Sequence, residues 1–137
     1  MDPNLRATPV KNAMPDCLFL YGTLHPDRAP AAIRSTARLL QSRGPATVVG
    51  TLYQLGRYPG LLLPGPAPRI VPGELFLLPP DAESLASLDA YEDFRPADPA
   101  GSLFLRIETE ATLPDESRKS CWVYVYNRPI PPDRSSV

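Results

Sequence analysis

The chain has 137 residues, enough for one domain with one core, and its 43% hydrophobic and 21% charged residues describe a globular rather than a disordered polymer. A net charge of −1 without a basic stripe argues against a nucleic-acid partner. No apolar run approaches the roughly 20 residues of a membrane span, and the opening segment lacks the apolar centre of a secretory leader, so a cytoplasmic protein is expected, its oligomeric state unread.

In chain order, residues 1–16 form a flexible lead-in. A short apolar strand over 17–21 stops abruptly at Tyr21-Gly22-Thr23-Leu24. A strand interior needs no glycine, but a backbone that turns sharply or approaches something closely does. Ala29, Ile33, Ala37 and Leu40 then recur at helical spacing, predicting a helix over 28–42 that Gly44-Pro45 ends. Strands follow at 46–55, 57–63 and 69–78, the last interrupted at Pro72-Gly73. Asp81 caps a helix over 81–94. Alternating strands at 102–113 and 120–127 complete the pattern, and 127–137 reads as a flexible tail.

The 19 prolines punctuate the chain between apolar runs and form no single tract. Cys17 and Cys121 each fall in a predicted strand and read as small buried hydrophobes, not as a metal site or disulfide framework. The order β-α-β-β-β-α-β-β lacks the helix that each parallel pair of a doubly wound sheet requires. A single α+β domain over 17–126, with a mixed sheet curled at Gly50 and Gly73, is the expectation.

The second helix carries an unusual carboxylate. At about 100° per residue, Leu85 and Leu88 mark one apolar stripe, and Glu92 falls between them. A carboxyl group directed into an apolar site has a raised pKa and becomes a better proton acceptor at neutral pH. The same residue reaches solvent if the helix ends near position 90. Other acids compete: Glu74 could face a cavity from its strand, Asp89 sits at the stripe's edge, and Asp115-Glu116 reads as a solvated turn. His25 is the only histidine, and with no GxSxG stretch a Ser-His-Asp triad is unsupported.

"LFLYGTL", "GELF" and "LDAYEDF", followed by "FLRIE", together resemble the gamma-glutamylcyclotransferase-like family, in particular its AIG2-like branch. The resemblance implies a small mixed β-barrel of about six strands with two flanking helices and a cavity at one end. It implies that the turn formed by Tyr21, Gly22, Thr23 and Leu24 lies against a substrate carboxylate, where successive backbone N–H groups make an anion-binding concavity. It places the catalytic glutamate at Glu92, within "LDxxE". Tyr58, in "RYPGLLL", and Arg106 are weaker candidates for substrate contact.

The reaction implied is cyclisation of a small gamma-glutamyl amide to 5-oxoproline and a free amine or amino acid, of transferase or lyase type, with no metal or organic cofactor. Two departures from the family pattern stand out: Phe104 replaces the tyrosine of a common Tyr-x-Arg, and "EDF" replaces a common Glu-Gly. A non-catalytic module that binds a small carboxylate on the same fold is the alternative.

Overall fold

The structure, a computed structural model, describes residues 14–21, 29–56, 58–132 and 134–136. Its elements are β1 (Cys17–Leu20), α1 (Arg34–Ala37), β2 (Gln41–Gln54), β3 (Pro59–Leu62), β4 (Arg69–Leu77), α2 (Ala82–Tyr91), a 3₁₀ turn at Pro99–Gly101, β5 (Phe104–Thr112) and β6 (Arg118–Tyr126). Five strands run in the order β2-β4-β1-β6-β5, and a β2–β5 pairing at Thr47 and Thr112 closes them into a barrel. β3 is added to the far end of β2. The sheet is mixed because β1 runs parallel to β6 and antiparallel to β4.

β1 explains its own unbroken apolar sequence. Successive side chains of a strand point to opposite faces, and here both faces are covered. Cys17 and Phe19 join Val71, Leu75, Cys121 and Val123 in a cluster that fills the barrel. Leu18 and Leu20 join Ile33, Ala37, Leu88 and Tyr124 in a second cluster beneath the helices. The ring of Phe19 also accounts for Gly73, since a Cβ there would lie 2.5 Å from that ring and from the Leu20 carbonyl oxygen.

Three expectations are corrected. The helix predicted over 28–42 is one turn, Arg34–Ala37, flanked by i→i+3 hydrogen bonds such as Ile33 N–H to Pro30 and Leu40 N–H to Ala37. These tight turns still bring Ala29, Ile33, Ala37 and Leu40 to one buried face. Gly44-Pro45 does not stop a helix. It lies inside β2, where the register against β4 shifts between Ser42 and Gly44 and Gly44 takes φ +96°, the backbone of a bulge. Nor does Pro72-Gly73 interrupt β4, which pairs with β2 through both residues.

The segment past β6 is tied down by specific bonds. Asn127 Nδ2 donates to the Ser102 carbonyl at 2.9 Å, Arg128 Nη1 to the same oxygen at 2.7 Å, and Arg134 Nη1 to the Gln54 carbonyl at 2.9 Å. Ser136 bridges Tyr53.

Candidate active site

The site begins with the end of α2. Asp81 accepts a hydrogen bond from the Ser84 N–H at 2.7 Å and starts the helix, an arrangement worth about 1 kcal/mol. Leu88, fully buried, anchors its middle. The last helical residue is Tyr91, so Glu92 stands at the C-cap. The chain then reverses: Asp93 adopts φ +58°, its N–H reaches the Ala90 carbonyl at 3.1 Å, and the Phe94 N–H reaches the Asp89 carbonyl at 2.8 Å. This is the paired closure that usually places glycine where Asp93 sits. Glu92 lies within that closed turn, and it is half-buried although the helix has ended.

Its carboxyl group lines a cavity of about 170 Å³. Phe19, Leu20 and Tyr21 contribute from β1 and its end, Tyr58 and Pro59 from the start of β3, Phe104 from β5 and Tyr124 from β6. Tyr91, Asp93 and Leu103 complete the lining. Among these described residues none is cationic. Burial raises the Glu92 pKa from an ordinary 4.5 to about 7, because the charged form loses water and gains no counter-ion.

The two tyrosine hydroxyls near this carboxyl are already engaged. Tyr21 Oη donates to the Tyr124 carbonyl at 2.5 Å. Tyr124 Oη donates to Asp89 Oδ1 at 2.7 Å. Burial, then the nearby Glu92 charge, pushes the Tyr21 hydroxyl well above its usual range. Burial, then Asp89 and Glu92, does the same to Tyr124. At neutral pH both remain protonated donors, and Glu92 is left as a group that can exchange a proton there.

The sequence-derived candidates thus divide. Tyr21, Tyr58 and Glu92 line one cavity. Gly22, Thr23 and Leu24 lie outside the described residues, as does His25. Arg106 is not in the cavity lining. Its Nε and Nη2 meet Asp89 Oδ1 and Oδ2 at 2.8 and 3.1 Å, with its guanidinium 4.4 Å from the Trp122 ring centroid. The Asp89 carboxylate thus bonds to the side chains of Arg106 and Tyr124. Glu74 accepts from Ser42 Oγ at 2.5 Å and is not among the described residues that line the cavity. Tyr91 and Tyr124 escape a reading of the sequence alone. Tyr124 is one more aromatic in an alternating strand, and only the register of β6 against β1 brings it to Glu92.

The loop after α2 forms part of the rim, and it is internally braced. The Leu103 N–H donates to the Asp93 carbonyl at 3.0 Å. Ser102, fully buried, accepts from the Arg95 N–H at 2.7 Å and donates to the Asp98 carbonyl at 3.0 Å.

Comparison with known families matches residues 18–136 to the model described as gamma-glutamyl cyclotransferase, AIG2-like. The chain belongs to this family. No curated protein sequence matches it. Among solved structures, an AIG2-like protein from Mus musculus superposes with a TM-score of 0.63 at 23% identity, covering 85% of this chain and 80% of that one. A structure titled gamma-glutamyl cyclotransferase gives 0.57 at 15% identity over 88% and 68% of the two chains. A protein from Arabidopsis thaliana gives 0.54 at 21% identity over 85% and 72%. At these identities the likeness establishes the fold, and the five-strand barrel with one added strand and two helices is the AIG2-like arrangement. Within it, Phe104 forms part of the cavity wall and Asp93 closes the helix, so both departures noted in the sequence fall at the site.

Proposed function

We propose that this protein is a gamma-glutamyl cyclotransferase that converts a small gamma-glutamyl amide into 5-oxoproline and a free amine or amino acid, with Glu92 as the proton carrier. The observation that supports this is a single one: a half-buried carboxyl group with a pKa raised to about 7 at an aromatic-walled cavity. Family membership makes gamma-glutamyl chemistry the natural use of such a group. A carboxyl poised near neutrality can take a proton and return it at comparable cost.

The substrate brings its own nucleophile. Glu92 removes a proton from the α-ammonium, and the freed nitrogen attacks the γ-carbonyl carbon, closing a five-membered lactam. The original amide C–N bond breaks, and Glu92 returns the proton to the departing nitrogen. Over the whole reaction the α-nitrogen gives up two protons, and a leaving amine gains two when it departs as an ammonium ion, so no water is consumed. Attack within one molecule removes the entropic cost of bringing two reactants together. The protein's task is then to fold the substrate chain and manage the proton. Tyr21 and Tyr124, fixed by hydrogen bonds, give the cavity rigid walls for the first part.

The test is incubation with a panel of gamma-glutamyl amines and gamma-glutamyl amino acids, with 5-oxoproline read by mass. Turnover by the wild type that falls by about 100-fold or more in Glu92→Gln is the expected result. Binding of the panel without product in either form would replace the enzyme with a binding module.

A further inference from the structure

Glu92 sits between two residues that one side chain grips together. Four residues lie between Asp89 and Phe94, and the Phe94 N–H to Asp89 carbonyl hydrogen bond closes the turn around Glu92. Arg106, from β5, holds the Asp89 carboxylate with two hydrogen bonds and carries its guanidinium 5.6 Å from the Phe94 ring centroid. The same guanidinium lies 4.4 Å from the ring centroid of Trp122 of β6. Tyr124 of β6 adds a third hydrogen bond to the same carboxylate. The Asp89 side chain is 8% exposed and that of Arg106 15%. A fork of this kind fixes direction as well as distance, which an ammonium group does not.

We propose that Arg106 is a positioning residue for Glu92: by holding both Asp89 and Phe94 against the barrel, it locks the closing turn of α2 that carries the glutamate. The inference rests on the proposed role of Glu92 and goes beyond it by assigning work to a residue outside the cavity. The clamp acts through the backbone of residues 89–94. Without it, the end of α2 keeps packing and the single Tyr124 hydrogen bond to Asp89 but loses the two-pronged grip from β5, and Glu92 gains freedom to swing toward water. Among the described residues, the titratable groups that line the cavity with Glu92 are Tyr21 from the end of β1, Tyr58 before β3, Tyr124 from β6, and Tyr91 and Asp93 on its own segment. None is a cation that could hold the carboxylate in place.

The test uses two variants. Arg106→Lys keeps the charge and loses the fork. The double variant Asp89→Asn with Arg106→Gln removes both charges, so neither is left buried alone. In each, kcat against the best substrate should fall by about 10- to 100-fold, as a displaced reactive group requires, while KM changes less than about threefold. The Glu92 carboxyl carbon, followed by NMR titration, should move from a midpoint near 7 toward the ordinary glutamate range as the group hydrates. A loss of stability alone moves neither reading in folded protein. Should the folded variants keep both the wild-type kcat and the wild-type midpoint, Arg106 is only a structural ion pair. If the wild type makes no product, the proposed activity fails, and the titration still decides for or against the clamp.

Discussion

The ring of Phe104 meets that of Tyr58 edge-on, with centroids 5.7 Å apart and planes at 64°, and both form the cavity wall opposite the end of α2. Phe104 also meets Tyr126 in the same manner at 5.6 Å. This triplet offers no donor at position 104, the position where the Tyr-x-Arg pattern noted in the sequence has a phenol. Phe104→Tyr should therefore raise kcat/KM for gamma-glutamyl substrates by about fivefold, the effect of one modest hydrogen bond, at about 1 kcal/mol of stability. Steady-state kinetics and urea denaturation check this together. An unchanged kcat/KM would mean that position 104 does not reach the substrate.

Glu92 makes stability depend on pH. Its folded pKa of about 7 lies above the ordinary 4.5, so between these values the folded state holds a proton that the unfolded state has lost. Stability due to this group is complete below pH 4.5 and declines as pH rises to about 7. Glu92→Gln removes the dependence. The variant should gain on the wild type by up to about 3 kcal/mol between pH 4.5 and pH 8. Chemical denaturation at both pH values measures the gap, and a gap that does not widen would contradict the burial of the carboxyl group.

Asp93 holds φ +58° at the helix end, a conformation that glycine adopts at lower cost. Its contact with Arg95 is long, 3.7 Å, and half exposed, and such pairs contribute little. Asp93→Gly should stabilise the fold by about 0.5–1 kcal/mol, read as a higher urea midpoint with the same slope.

Gly73→Ala should do the reverse. The added methyl group would meet the Leu20 carbonyl oxygen and the Phe19 ring at 2.5 Å, and neither is the free end of a flexible side chain. A cost of about 1–3 kcal/mol is expected. A neutral outcome in thermal unfolding would show that β1 and β4 can move apart at this point.

Much of the architecture is readable from local pattern. The two-sided burial of β1 follows from four consecutive apolar residues, and α2 follows from Asp81 and the leucine spacing. The one-turn α1 does not follow, because burial at three- and four-residue intervals is satisfied equally by tight turns. The fate of Gly44-Pro45 depends on a ladder with residues 74 and 75, far along the chain, and strand formation answers to such partners more than to local preference. The site divides in the same way. Helical angle points Glu92 toward the leucine side, although the helix itself ends at Tyr91. Its support does not, because Asp89 meets Arg106 across 17 residues and Tyr124 across 35.

The barrel's closing seam is narrow. β5 and β6 pair along their full lengths, whereas β2 and β5 share the single rung between Thr47 and Thr112. Phe104 stands at the opposite end of β5 from Thr112, about 27 Å away along an extended strand. The cylinder is thus latched to β2 at the Thr112 rim, whereas at the Phe104 rim β5 pairs with β6 alone. The seam can part beside the candidate cavity while Thr47 and Thr112 stay joined, and amide hydrogens at Thr112 will outlast unpaired ones at that rim in exchange with solvent. Latch and cavity stand at opposite poles of one strand.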